Sequence, residues 1–448
     1  MDRDANIGTI NDTKRIARDD WVTRSLQAVW HPCTQMKHHE RMPLVAVSRG
    51  QGPWLYDHAG RRYLDAISSW WVNLFGHANP RINGALREQL GTLEHVMLAG
   101  FTHASVVELS ERLSALAPGG LSHAFYGSDG ASATEIALKM SFHHWRQQGM
   151  RDKDRYARLA GGYHGETVGA QSVTDVALFR DAYAPLLRSH PLLPSPAVHD
   201  MRTADAACDG AIDALGRFLD EHAGSTSALI VEPLVQGARG MAMYAPRYLA
   251  AARELTRAHD VHLIADEIMT GFGRTGTMFA CEQAAIAPDF LCLSKGITGG
   301  YLPLSCVLAT DTLFDAFYDD DVARGFLHSH SYTGNALACR AALAVLDIFR
   351  DDDVIVANRA TASRWRNIAA PLSTHSRVRN LRQRGMIIAF DALSERPGFP
   401  AWFAARAAAA ELLLRPIGKT VYFMPPYVVT DAEFALLVER TVAILDEC

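Results

Sequence analysis

Two short runs, Val261 to Ala265 and Phe290 to Leu293, constrain the fold of this 448-residue chain more than any other part of it. Apart from His262 they are wholly apolar, too short for helices, and without the polar alternation of a half-exposed strand. Strands of that kind are covered on both faces, as in a parallel sheet between helices. Each run also ends in charge, the first at Asp266-Glu267 and the second at Lys295. Ligands of open α/β sheets sit beyond the carboxyl ends of strands, so an aspartate and a lysine are expected at one crevice. Ala228 to Glu232, followed by an amphipathic helix over Tyr248 to Ala258, supplies the strand-helix-strand unit that a parallel sheet needs. Leu304 to Ala309 returns as a further strand.

Lys295 is unusual because lysine is scarce. Lys14, Lys37, Lys139, Lys153, Lys295 and Lys419 are the full set, and only Lys295 follows a buried-looking strand. Burial lowers a lysine pKa and leaves a neutral amine able to attack a carbonyl, the requirement of Schiff-base chemistry. Gly296 and the pair Gly299-Gly300 let backbone approach a flat ligand. If that ligand is pyridoxal phosphate, its ring nitrogen must stay protonated, and Asp266 is placed to do so. At about 4 Å and an effective dielectric near 20 such a pair is worth roughly 4 kcal/mol, or about three pKa units.

Two other readings of the stretch stand beside this one. An Asp-Glu after a strand is more often a helix cap or a solvated turn. Gly271-Phe272-Gly273-Arg274-Thr275-Gly276 fits G-x-G-x-x-G, which would make the protein an NAD-dependent oxidoreductase. That match is weak, because five residues separate the strand from the first glycine and no clear helix follows.

The length implies two associated domains or one large one with a smaller lobe. A net charge of -5 carries no basic surplus for nucleic acid, so small molecules and a second copy are the expected partners. Seven scattered cysteines, none in C-x-x-C spacing, indicate neither a disulfide framework nor a zinc site, and no metal is assigned. No apolar run has the length of a membrane span and the N-terminus has no signal-peptide core. The expectation is a cytoplasmic protein with a disordered first twenty residues.

Other candidates are strung along the chain. A short helix from Trp21 runs up to Pro32, and Leu44 to Val47, Trp54 to Tyr56 and Tyr63-Leu64 read as a β-meander. Trp70 and Trp71 follow; neighbours on extended chain alternate sides, so one of the two is expected to line a cavity. Gly127 to Ser132 is a small-residue turn between the strand His123 to Tyr126 and a helix. Free N–H groups at such a helix start cradle phosphate, although capping by Ser128 or Asp129 explains the turn without a ligand. Tyr163, in Gly161-Gly162-Tyr163-His164-Gly165-Glu166, is placed to stack on a planar cofactor or to form a structural corner. His328 to Asn335 is a polar loop. After it come a helix over Val354 to Ile368, strands at Val378 to Leu381 and Met386 to Phe390, a helix over Trp402 to Leu414, and a closing helix from Asp431. Arg415, just beyond the alanine-rich helix, offers a fork for a carboxylate.

LIADEIMTGFGRTG with PDFLCLSKGITGG resembles the signature of the class III pyridoxal-phosphate aminotransferases, and the likeness runs from about Trp30 to the C-terminus. It implies fold type I: a large domain with a mainly parallel sheet between helices, at 76 to 344. A segment at 21 to 75 would pack with a smaller α+β lobe at 345 to 448. It further implies a homodimer that shares its sites, pyridoxal phosphate as cofactor, Lys295 as Schiff-base lysine and proton shuttle, and Asp266 as partner of the ring nitrogen. Gly130-Ala131 would hold the phosphate, joined by Ser331 of the other subunit, and Tyr163 would stack on the ring. Trp70, Trp71, Gly300, His330, Arg415 and Tyr422 would surround the substrate.

WHPCTQM, ISSWWVN, GYHGET, HSYTGN and RPIGKTVYFMPP resemble the branch of the family that converts 8-amino-7-oxononanoate to 7,8-diaminononanoate in biotin synthesis, usually with S-adenosylmethionine as amino donor. Users of that donor carry tyrosine at the position of Cys33, and proline and threonine at those of His330 and Ser331. HSHSYTGN and KGITGGYLP look more like relatives that take the amine from lysine. S-adenosylmethionine is kept as the expected donor, with lysine, and then a broader ω-amino acid transaminase, as alternatives.

Overall fold

A computed structural model describes residues 20–40, 42 and 44–448. The expectation of a disordered N-terminus lies outside the described residues, Asp20 excepted. Three strands open the fold, β1 (Val47–Gln51), β2 (Trp54–Asp57) and β3 (Arg62–Asp65). Next come β4 (His123–Gly127), β5 (Arg155–Leu159), β6 (Leu192–Leu193) and β7 (Thr226–Val231), the small hairpin β8 (Val235–Gln236) and β9 (Ala242–Met243), and then β10 (His262–Asp266), β11 (Phe290–Leu293) and β12 (Ser305–Ala309). The last are β13 (Val378–Arg384), β14 (Ile387–Ala392), β15 (Leu412–Leu413) and β16 (Thr420–Phe423).

The central sheet has seven strands in the order β4-β12-β11-β10-β7-β5-β6. It is parallel except for β12, which runs antiparallel to both of its neighbours. Every residue of β7, β10 and β11 is buried, the cause of their apolar composition. Period-two alternation divides them between two cores. Ile264, Ile230 and Cys292 pack with the Gly130–Gln147 helix, while Leu263, Ala265, Val231 and Leu293 face the other layer of helices.

A second sheet, β1-β2-β3-β15, joins the two ends of the chain, since Leu412 pairs in parallel with Leu64. The third sheet, β13-β14-β16, is antiparallel and is tied to the loop before β9 by Arg382, whose guanidinium donates to the carbonyls of Gly240 and Met241. Among the described residues no helix is long and apolar enough to cross a membrane.

Three local expectations are corrected. The expected helix over Trp402 to Leu414 is a helix over Phe399–Ala409 followed by β15; pairing with β3 takes the last residues away from the helix. The strand expected over Leu44 to Val47 begins at Val47. The tryptophan pair is not extended. Ser68, Ser69, Trp70 and Trp71 have φ of 51, 46, 73 and 74°, a left-handed turn without a glycine. Each such residue costs on the order of 1 kcal/mol or more. Asp65 holds the turn through the Ser69 N–H and hydroxyl, at 2.8 and 2.7 Å, and the Ser68 hydroxyl donates to the Met424 carbonyl at 2.7 Å.

Candidate active site

Asp266 ends β10 beside Cys292 of β11, and Lys295 follows β11 with φ at 47°. Both line a cavity of about 1160 Å³ at the carboxyl ends of the central strands. Lys295 Nζ lies 4.5 Å from the centroid of the Trp71 ring and makes no hydrogen bond among the described residues. Burial draws its pKa down to about 8 against the opposing pull of Asp266 and Glu232. Part of this amine is therefore neutral near pH 7, as a nucleophile requires.

Asp266 Oδ2 sits 2.7 Å from His164 Nδ1, and its Oδ1 accepts the Ile268 N–H at 3.1 Å. Glu267, the next residue, points the other way and accepts the N–H groups of Ala280 and Cys281 at 2.6 and 2.8 Å. One carboxylate of the pair serves the cavity and the other holds a loop.

The phosphate-like end is the turn from β4 into the Gly130–Gln147 helix. Asp129 caps that helix by accepting the Ser132 N–H at 2.9 Å, so the capping explanation holds. It leaves the N–H groups of Gly130 and Ala131 without an acceptor among the described residues, and both residues line the cavity. The cradle is tight: a Cβ on Gly130 would stand 3.0 Å from Ile268 Cγ2, and one on Gly165 would stand 2.6 Å from Ala131 Cβ. A helix start with free N–H groups suits an anion such as a phosphate, and Asp266 and Lys295 line the same cavity.

Tyr163 lines the same cavity. Its N–H donates to Glu232 Oε2 at 3.0 Å and its hydroxyl to Glu166 Oε1 at 2.9 Å. Burial and the Glu166 carboxylate push the phenol well above its usual range. Glu232 and His164 were missed as site residues. Glu232 follows β7 as Asp266 ends β10, so the strand-end rule was sufficient to find it. Its carboxyl is buried, accepts the Gly237 N–H at 2.9 Å, and is raised by burial to about 7. For His164 the only signal was an imidazole between glycines.

The opposite wall comes from the ends of the chain. The Trp71 indole donates to the Tyr422 hydroxyl at 3.0 Å, with the rings edge to face at 6.1 Å. Burial lifts the Tyr422 phenol to about 12. Arg415 Nη2 donates to the Cys33 carbonyl at 2.7 Å, and its guanidinium lies 4.7 Å from the Trp70 ring centroid. Both tryptophans line the cavity, Trp71 buried and Trp70 42 % exposed; the left-handed turn allows what an extended segment would not. The lining also includes the apolar residues Val45, Val47, Leu55, Ala401, Ala404 and Ala408.

Three expected residues lie outside this cavity. Gly300, with φ at 88°, packs where a Cβ would stand 3.1 Å from the Asn73 backbone. Ser331 gives its carbonyl to His95 Nε2 at 2.8 Å, and His330 Nδ1 is 3.3 Å from Ser128 Oγ.

The dinucleotide reading is overturned by the path of Gly271 to Gly276, which is a run of turns followed only by the short 3-10 helix Ala280–Ala284 and not by an α-helix. Arg274 is buried and donates to the carbonyls of Pro425, Asn73 and Trp71, so the segment braces the tryptophan turn.

Comparison with known proteins agrees with this geometry. The profile of the family described as Aminotransferase class-III matches residues 35–445. The chain is 45% identical over 439 residues to an adenosylmethionine-8-amino-7-oxononanoate aminotransferase of Helicobacter pylori, covering 96% of this chain and 98% of that protein. The enzyme of the same name from Geobacter sulfurreducens is 39% identical, with coverage of 94% and 95%. Among solved structures, the adenosylmethionine-8-amino-7-oxononanoate aminotransferase of Methanocaldococcus jannaschii superposes with a TM-score of 0.90 at 32% identity, covering 95% of this chain and 98% of that one. An omega transaminase of Pseudomonas jessenii in complex with PMP has the same TM-score and coverage at 26% identity. A lysine and an aspartate at adjacent strand ends, a bare helix start for an anion, and likeness along nearly the whole chain have one common reading: the chain belongs to the class-III aminotransferases.

Proposed function

We propose that the protein aminates 8-amino-7-oxononanoate to 7,8-diaminononanoate with S-adenosylmethionine as amino donor, using pyridoxal phosphate. The names of the relatives support the reaction. The observation that carries it in this chain is the wall opposite Lys295, where Arg415 is pinned by the Cys33 carbonyl and stacked on Trp70 beside an apolar lining. A substrate with a carboxylate at one end and an alkyl chain before its ketone fits that sequence of surfaces. The omega transaminase shares the fold equally well but at 26% identity, so the fold alone does not separate the two activities.

Pyridoxal phosphate, when bound, supplies a carbonyl that takes up the amine and a ring that draws electrons from the amine-bearing carbon. The rest falls to the chain. Lys295 Nζ would hold the cofactor's carbonyl end and would move a proton at that carbon. Asp266, fixed by His164, would keep the ring nitrogen protonated, and the N–H groups of Gly130 and Ala131 would hold the phosphate. Tyr163 would cover the ring. Trp70, Trp71 and Tyr422 exclude water from the reacting end, while Arg415 orients the acid.

Ser331, outside this cavity, would complete the phosphate site from a second copy, and the working form on this reading is a cytoplasmic homodimer. Each copy consists of a large domain at 76 to 344, a small one at 345 to 448 and the segment 21 to 75 packed with the latter.

Adding S-adenosylmethionine, and separately lysine, to the purified protein without keto acid tests the donor. Loss of the cofactor's visible band with S-adenosylmethionine alone is expected. Loss with lysine alone transfers the role to lysine, and no response to either overturns the reading.

A further inference from the structure

The turn that carries the two tryptophans is held at one remove by a histidine. Asp65, the last residue of β3, is wholly buried. Its Oδ1 accepts the Ser69 N–H, and its Oδ2 accepts both the Ser69 hydroxyl and, at 3.0 Å, the Nε2–H of His77. A carboxylate only accepts, so the hydrogen of this last contact is on Nε2. At the other ring nitrogen, Nδ1 accepts from the Asn73 amide at 3.1 Å. One hydrogen, on Nε2, therefore satisfies both neighbours of the imidazole.

His77 is itself fixed by the main chain. Its N–H and carbonyl pair with Gly52, between β1 and β2, at 2.7 and 3.1 Å. The approach is close: a Cβ on Gly50 would stand 2.5 Å from His77 Cβ, and one on Gly76 would stand 2.9 Å from the Gly52 backbone. This fit leaves the imidazole little room to withdraw from Asp65. The carboxylate in turn has much to hold, because Ser68 to Trp71 all keep a left-handed φ that such residues rarely adopt. Relaxing that backbone would swing both indoles, Trp71 away from Tyr422 and Lys295 and Trp70 away from Arg415.

We infer that His77 is a positioning residue for the substrate wall: by holding Oδ2 of Asp65 it keeps Ser68 to Trp71 in the left-handed turn, and so keeps Trp70 and Trp71 on the lining of the cavity. This rests on the reading of that wall as the keto-acid site. The imidazole touches neither substrate nor cofactor in this role.

The test uses the full chain as wild type, His77→Ala and His77→Gln, the glutamine amide replacing Nε2 as a donor. His77→Ala is expected to raise the KM for 8-amino-7-oxononanoate about tenfold, the lower end of what a hydrogen bond to a charged group is worth, with kcat and the donor KM within about twofold of wild type. His77→Gln should restore the wild-type KM. Because the effect passes through the turn, it should shrink when Trp70→Ala is already present. Near-UV circular dichroism, which needs no substrate, should change with His77→Ala and return with His77→Gln. A lowered melting temperature with both KM values and the near-UV spectrum unmoved shows a merely structural role and overturns the inference. A fall in kcat at unchanged KM, or a glutamine variant no better than alanine, overturns it too. Should His77→Ala not fold, His77→Gln and nitrogen NMR of the wild type still decide, since a hydrogen on Nε2 supports the inference and a bare Nε2 refutes it. A wild type inactive with the keto acid overturns the functional reading instead, and the near-UV comparison then decides the inference by itself.

Discussion

The two walls of the cavity are built by opposite means. The wall with Lys295, Asp266 and Glu232 is formed by the ends of three buried strands whose every residue is packed. The wall with Trp70, Arg415 and Cys33 is formed by turns and a short sheet, held by contacts such as that between residues 33 and 415, which are 382 apart in sequence. The first positions atoms for chemistry, which tolerates little displacement. The second positions a substrate, and its contacts are half in water. Substitutions in the strand-end wall should therefore lower turnover, and those in the other wall should change substrate affinity.

The largest effect belongs to Lys295→Ala, which should lower turnover by more than about 10⁴-fold and abolish covalent attachment of cofactor on borohydride reduction. Attachment at another lysine would break the assignment. Asp266→Asn follows, with a loss of about 10³-fold in turnover and little change in either KM, from the roughly 4 kcal/mol of a close charge pair. Arg415→Ala should raise the KM for the keto acid by about ten- to a hundredfold and that for the donor far less. Equal effects on the two would erase the difference between the walls. Trp70→Ala, losing only the stacking of the guanidinium, should raise the keto-acid KM by about threefold.

The smallest effect is on stability. Burial raises the Glu232 and Glu267 carboxyls to about 7 from an ordinary 4.5, so between those values the folded protein keeps protons that the unfolded chain has released. Their contribution is complete below about pH 4.5 and is lost as pH rises through 7. Urea midpoints at pH 5, 6 and 7 should fall along that series, and Glu232→Gln should flatten the fall by up to about 1.4 kcal/mol per pH unit. An unchanged slope would show that Glu232 titrates normally.

The strand-end wall was legible from local pattern; of the other wall Trp70, Trp71, Arg415 and Tyr422 were named, but the backbone that carries them was not, for physical reasons. Strands buried on both faces must be apolar throughout, so β10 and β11 stand out, and a charge at their ends has few places to go. Lys295 and Asp266 came from that rule together with the family likeness. Glu232 obeys the same rule, and the strand ending at it was read without a role being drawn for its carboxylate. The turn at Ser68 to Trp71 has no local signal, because four consecutive left-handed residues without glycine are stable only through Asp65 and Met424. The helix expected to reach Leu414 followed alanine propensity past the point where pairing with β3, some 350 residues earlier, takes over. Arg274 was read as part of a glycine motif, since nothing local shows that its guanidinium crosses to Pro425 and Asn73.

Cys33 serves the cavity twice, with its carbonyl on Arg415 and its side chain on the lining. Because the carbonyl belongs to the main chain, it survives any exchange at that position that keeps the φ of 52°. On the proposed reading, an exchange at position 33 would change the cavity lining while leaving the carbonyl's hold on Arg415 in place.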